Sequence, residues 1–301
     1  MELTDLPTRR TEDWKYSDLR LALRERALPE GAAPKPAHAW RKLDGPIDQL
    51  ALFQNGHEIT KVGAGEEELL VERLVDSELD ARVREIQVLP GGSLTRVVIQ
   101  GGDGVALNAA YVSLSENATF RQIVLTEGGR LARIETHVTL EGVGAHVELN
   151  GVYMCGAERH ADLTSVIEHK VANCTTRQLN KGAVRAGGRG VFQGKIRVDH
   201  GAQKTDARQH HQALLLEEGA EAFAKPELII NADDVQCAHG NTIGALDEQA
   251  LFYMRQRGLP QDEARALLTE AFLLEALPED LDAALRDELA GRVSAWLRRS
   301  A

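Results

Sequence analysis

Residues 192–244 read FQGKIRVDHGAQKTDARQHHQALLLEEGAEAFAKPELIINADDVQCAHGNTIG. The stretch opens with Phe192, Ile196 and Val198 on one face, with Gly194 between them. It ends at a Cys-Ala-His-Gly turn, Cys237 to Gly240. The same two-residue period runs upstream. Ile134, Thr136, Val138 and Leu140 alternate with Arg133, Glu135, His137, Thr139 and Glu141. Ala145, Val147 and Leu149 repeat the pattern against His146, Glu148 and Asn150, and Ala161, Leu163, Ser165 and Ile167 make a further rung. Short strands with no helices between them point to a sandwich, a barrel or a solenoid. Small inward residues, abundant glycine (27 in the chain) and polar outward positions favour the solenoid. No strict repeat is visible, which leaves a β-sandwich as the competing architecture.

Outward from this body the period changes. Thr11 is placed to cap an N-terminal helix through Trp14, Leu19, Leu21 and Leu23, ended by Pro29 and Gly31. Trp14 and Tyr16 are expected to dock on the body. Residues 31–46 read as a linker. Residues 50–59 read as a hairpin about Asn55-Gly56, and Glu66 to Val83 has helical spacing at Leu69, Leu70, Leu74 and Leu79. After Gly244, Asp247 caps a helix through Leu251, Phe252 and Met254 that closes at Gly258. Pro260 opens a second helix, which Pro278 ends. A third runs from Asp280 with Leu281, Leu285, Leu289, Val293 and Trp296 on one stripe. The expected organisation is an N-terminal helical or mixed segment (1–82), a β core (83–243) and a C-terminal helical domain (244–301).

Composition excludes several classes. The net charge is −11 with no basic cluster, which disfavours nucleic acid and anionic membrane as partners. No apolar run is long enough to span a bilayer, and no secretory signal opens the sequence. Three widely spaced cysteines, Cys155, Cys174 and Cys237, suit a reducing compartment such as the cytoplasm. No phosphate-binding loop, nucleophile elbow or zincin helix is present, so nucleotide hydrolysis and tight nucleotide binding are not expected. Gly187-Gly188-Arg189-Gly190 reads as a turn.

The histidine pairs are mostly surface candidates. His160 with Asp162, and His137 with Glu135, share a strand face that is expected to be solvated. His210-His211 is expected in an exposed turn. Lys195, Arg197, Asp199 and Lys204 lie close enough in sequence to keep a carbohydrate-active solenoid enzyme in view. Cys237 and His239 differ from these. In an extended strand they point to one side, so a thiolate and an imidazole share a space, and both ligate iron and other transition metals. A closed site needs about four ligands, so a partner or another segment would supply the rest. On residue types alone, a buried cysteine and a hydrogen-bonded histidine at a strand end is the favoured reading of the pair.

Several blocks occur in order: Gly190-Val191-Phe192-Gln193-Gly194-Lys195-Ile196, Gly201-Ala202-Gln203-Lys204-Thr205-Asp206-Ala207-Arg208-Gln209, Lys225-Pro226-Glu227-Leu228, and Ala232-Asp233-Asp234-Val235-Gln236-Cys237-Ala238-His239-Gly240. Leu246 to Gly258 follows, and Glu12-Asp13-Trp14-Lys15-Tyr16-Ser17-Asp18-Leu19 opens the series. Together they resemble the SufB/SufD family of iron–sulfur cluster assembly proteins, its SufD members most. The resemblance is dense from about residue 150 to 277. It implies a mainly β, right-handed β-helix with flanking helices and a non-catalytic scaffold role in the SUF system. It implies two partners, a SufB-like homologue pairing through the β-helix and a SufC-like ATPase docking on the C-terminal helices. It allows a homodimer when the chain is isolated. It carries no intrinsic cofactor, and it places His239, with Cys237, as candidate metal ligands where a transient Fe–S cluster forms at the interface with SufB. The region before residue 150 is compressed, which implies fewer rungs or a trimmed N-terminal domain. A purely structural paralogue without metal contact is the third reading.

Overall fold

The computed structural model describes residues 7–23, 56–74 and 78–299. In chain order it contains a 3-10 turn (Glu12–Trp14), α1 (Leu19–Ala22) and then the strands β1 (Gly56–Val62), β2 (Glu67–Leu74), β3 (Leu79–Val88), β4 (Ser93–Gln100), β5 (Val105–Leu114), β6 (Thr119–Thr126) and β7 (Leu131–Leu140). There follow β8 (His146–Cys155), β9 (His160–His169), β10 (Thr175–Val184), β11 (Arg189–Val198), β12 (Asp206–Leu215), β13 (Glu221–Ile230) and β14 (Gln236–Gly244). The chain then forms α2 (Glu248–Gln256), α3 (Gln261–Leu274) and α4 (Ala283–Arg298).

Odd-numbered strands form one seven-stranded parallel sheet and even-numbered strands a second. Successive strands alternate between the two sheets, so the chain winds as a solenoid, as expected. Leu79 pairs with Val105 and Val105 with Leu131, whereas Arg189 pairs with Glu221. The turns lengthen toward the C-terminus, which is why no fixed repeat shows in the sequence. Gly187, at φ +70°, takes the turn before β11 where a side chain would be strained, so the glycine run does act as a turn.

Among the described residues the β winding is already present from Gly56, before residue 83. The helical reading of Glu66 to Val83 is corrected: Glu67–Leu74 and Leu79–Val88 are strands. The hairpin expected at residues 50–59 is described only in its second half, β1. β1 pairs in parallel with β3, and the first half of that expected hairpin lies outside the described residues, as does the linker at 31–46.

Inward side chains stack into two apolar columns with a polar column between them. Leu94, Phe120, Val147 and Ile167 belong to one apolar column, and Val98, Val124, Leu163 and Phe192 to the other. Between them Arg96, fully buried, donates to Glu72 (2.5 Å), Gln122 (2.6 Å) and Asn108 (2.6 Å). Arg84 approaches the same Glu72 carboxylate at 3.2 Å.

The outer faces are covered from both termini. α1 is capped by the Asp18 side chain, which accepts from Leu21 N. Over the described residues the expected single helix from Thr11 is thus two short turns, because Lys15 to Asp18 leave the helix to reach the sheet; its expected end at Pro29 and Gly31 lies outside the described residues. Trp14, Leu19 and Leu23 pack on Val105, Leu107 and Leu131 of the odd sheet. On the even sheet, Val97, Ile99, Ile123 and Val152 pack against Leu285, Leu289, Val293 and Trp296, the predicted stripe of α4. Burial of such stripes supplies most of a helix's stability. Asp282, rather than Asp280, caps α4 through Leu285 N; Asp280 instead accepts from Arg121 at 2.8 Å. Buried Lys181 reaches Glu275 and lies 4.2 Å over the Phe272 ring, which ties α3 to β10.

Candidate functional site at the open end of the solenoid

β13 and β14 are the last strands of their sheets, and each pairs on one side only, with β11 and β12 respectively. Inward positions of β12 are Ala207, Gln209, His211 and Ala213, all four buried, with Gln209 and His211 at 0% exposed. The register sets Cys237 on Ala207, His239 on Gln209 and Asn241 on His211. Cys237, His239 and Asn241 therefore face the solenoid interior from its final strand. With no further turn above them among the described residues, Cys237 is half-buried and His239 and Asn241 are exposed.

The thiol and the imidazole do share one side, as the spacing predicted, and that side is the mouth of the interior. Cys237 packs on the edge of the larger apolar column. Burial pushes its thiol pKa up, helped by the nearby Asp206 carboxylate and opposed by a hydrogen bond from the Ala207 backbone. Gly240 faces outward, where a Cβ would come within 2.9 Å of His210 Nδ1. The glycine thus leaves room for the His210 ring. Among the described residues no three His, Cys, Asp or Glu side chains converge as a metal site. Cys237 and His239 are at most two donors of a set.

The other sequence candidates take structural parts. His211 is in a strand and in the core, not in an exposed turn. Its Nε2 lies 2.9 Å from Tyr153 Oη, its Nδ1 lies 2.6 Å from Asn241 Oδ1, and its ring stacks on Phe192 at 4.8 Å. Burial pushes its pKa down to about 4. The expected solvated face of His160 and Asp162 is covered by the N-terminal segment. Ser17 Oγ donates to Asp162, and His160 Nε2 lies 3.2 Å from the same oxygen. Burial lowers the His160 pKa to about 4 against the pull of Asp162. Arg133 donates to Asp162 and Glu135 and lies 4.2 Å over the Trp14 ring; His137 lies 2.8 Å from Glu135. Tyr16 stacks on Phe223 of β13 at 5.4 Å, and Lys225 of β13 donates to Glu12 at 2.6 Å. The N-terminal segment thus crosses the odd sheet and reaches its last strand.

Of the enzyme-like group, Lys195 meets Glu227, Arg197 meets Glu168, Asp199 meets Lys170 and Lys204 meets Asp234. All four are paired, and they do not form a convergent acid/base groove. Residue-by-residue reading missed Gln209, His211 and Asn241 as companions of His239. The signal was present as the period-two set Cys237, His239, Asn241, which continues one residue pair past the motif. No helix among the described residues is long and apolar enough to cross a membrane.

Comparison with known proteins points one way. The family described as SUF system FeS cluster assembly, SufBD core domain, matches residues 48–272. The iron-sulfur cluster assembly protein SufD of Escherichia coli is 35% identical over 180 residues, 60% of this chain and 43% of that protein. The SufBD family protein slr0076 of Synechocystis is 32% identical over 214 residues, 70% of this chain and 47% of that protein. SufD of Bacillus subtilis is 30% identical over 145 residues, 48% of this chain and 33% of that protein. The chain thus aligns with half or less of the length of these relatives.

Proposed function

Because the chain belongs to the SufB/SufD family of SUF-system iron–sulfur cluster assembly proteins and is similar to SufD proteins, we propose that it is a non-catalytic scaffold subunit that pairs edge to edge with a SufB-like homologue. The carrying observation is the last turn. Two adjacent sheet edges lack a further strand, and the inward residues above the buried core include a half-buried thiol and an exposed imidazole. An edge of this kind is a template for strand addition. In this reading His239, with Cys237 as the weaker donor, meets thiolates or carboxylates of the partner around a nascent cluster. The cluster is cargo that leaves the site. An isolated chain offers the same edge to a second copy of itself.

A SufC-like ATPase docks on the C-terminal helices. The α4 stripe is used internally, so the docking face consists of what is left outside: Phe252 (62% exposed), Tyr253 (58%) and Leu267 (42%) on α2 and α3. Exposed apolar groups on two helices packed against each other fit a protein contact. Arg265 does not belong to that face, since its guanidinium donates to Leu216 O at 2.8 Å. Glu263, exposed on α3, is the position for a charge-reversal test, and Glu263→Lys should weaken ATPase binding. The free cysteines fit a reducing, cytoplasm-like compartment.

Anaerobic copurification with the homologue and the ATPase tests the reading, followed by iron and sulfide analysis. A ternary complex that carries both elements is expected. Failure of the chain to join the homologue, with both proteins folded, rules the scaffold role out.

A further inference from the structure

Two interior amides below His239 end on an unused acceptor. Gln178 Nε2 donates to Ser165 Oγ at 2.8 Å, and Gln209 Nε2 donates to Gln178 Oε1 at 3.0 Å. Each amide therefore directs an N–H toward the interior. Gln209, 0% exposed, keeps a buried Oε1 with no partner. A buried polar atom without a partner is rare and needs an explanation. The site is built to hold that amide. A Cβ on Gly194, across the interior, would lie 1.8 Å from Gln209 Nε2 and 2.7 Å from its Cδ.

The neighbouring column shows what β14 does for such groups. There the inward Asn241 bonds its own register partner, His211 Nδ1, at 2.6 Å. Two residues earlier the corresponding pair is His239 and Gln209. A neutral imidazole carries one N–H donor and one lone pair. The residue able to use the free carbonyl is thus the exposed histidine standing beside it. Ligating histidines commonly give their second N–H to a carbonyl, which sets tautomer and ring direction.

We propose that Gln209 is a positioning residue for His239: its Oε1 accepts the imidazole N–H, holds one tautomer, and leaves the other nitrogen's lone pair facing out of the solenoid mouth as the ligand atom. This rests on the reading of His239 as a cluster-side ligand. Ser165 and Gln178 fix the orientation of the Gln209 amide, and Gly194 supplies its room.

The test uses the full chain with 15N-labelled histidine, the His239 signals being identified by their loss in His239→Ala. The wild-type ring should show a single tautomer and one ring N–H proton slowed in exchange. Gln209→Met removes the acceptor at similar volume and should abolish that proton signal and average the ring nitrogens. Gly194→Ala, which displaces the amide without deleting it, should do the same and guards against a Gln209→Met chain that fails to fold. Gln209→Glu keeps an acceptor and should retain the single tautomer. In the reconstituted complex, Gln209→Met should lower iron and sulfide content roughly 10-fold. A His239 ring that already averages in the wild type, or that is unchanged in a folded Gln209→Met chain, overturns the positioning role whatever the cluster yield. Normal cluster yield with His239→Ala overturns the reading on which it rests, and leaves the ring signals to be judged separately.

Discussion

β9 and β11 in the middle of the solenoid and β13 and β14 at its end follow the same alternation, yet their burial differs throughout. In β9 and β11 the inward residues Ala161, Leu163, Ile167, Phe192, Ile196 and Val198 are at most 5% exposed. In β13 and β14 no residue is fully buried. Ile229, Ile230 and Ile243 are 38%, 42% and 37% exposed. A solenoid turn gains its burial from the turns on either side. The last turn has core chemistry and one neighbour. Its edge strand carries Pro226 between Lys225 and Glu227, which limits indiscriminate strand pairing without closing the edge.

The comparison predicts that the interior polar column is intolerant of truncation where it is enclosed. Burial raises the Glu72 pKa, but the Arg96 and Arg84 guanidiniums outweigh it and hold the carboxyl below its usual range. Arg96→Met strips Glu72 of its closer partner and should cost about 3–5 kcal/mol in urea unfolding. Cys237→Ser in the last turn should cost less than about 1 kcal/mol. Equal losses would break the distinction between enclosed and open turns.

Trp14→Ala sharpens it from the other side. The ring is 1% exposed and lies on Arg133, so its loss should cost about 3 kcal/mol. Hydrogen exchange should rise at residues 7–23, at β7 and at the otherwise open β13. Unchanged exchange at β13 would mean that the N-terminal segment does not support the last turn.

Acid provides a smaller, graded effect. Burial lowers His160, His169 and His211 to about 4, below the usual 6.5. Between those values the unfolded chain binds more protons than the folded one, so stability should fall as pH drops from about 6.5 to 4. Below pH 4.5 Glu135 adds to the loss. Its pKa is about 2 because Arg133 and His137 outweigh the burial that would raise it. His211→Asn should flatten the pH dependence of melting in the upper window. A slope identical to wild type would show that His211 is not buried as neutral imidazole.

The alternation at Arg133 to Glu141 was enough to read strands, because that stretch keeps apolar and polar positions distinct, and the small inward residues and glycines then favoured a solenoid over a sandwich. Glu66 to Val83 misled because Leu69 and Leu70 occupy opposite faces of one strand. Outward residues elsewhere are apolar for the same reason, since terminal elements cover them: Val97 and Ile99 meet α4 from outside. Conversely, polar residues inside the solenoid, such as Gln178 and His211, look like surface in a one-dimensional reading. The shared side of Cys237 and His239 was legible from spacing. That this side is the interior mouth depends on the number of turns stacked beneath it, which no local pattern carries.

His239 gives the most direct measurement. The ring is exposed at a free strand edge, so His239→Ala should lower stability by less than about 1 kcal/mol. The quantity to measure is acid-labile sulfide and iron per complex, in wild type and His239→Ala, after anaerobic assembly with the SufB-like homologue and the SufC-like ATPase. The account predicts an intact complex whose iron and sulfide content falls to a small fraction of wild type. An intact His239→Ala complex with full iron and sulfide would contradict it.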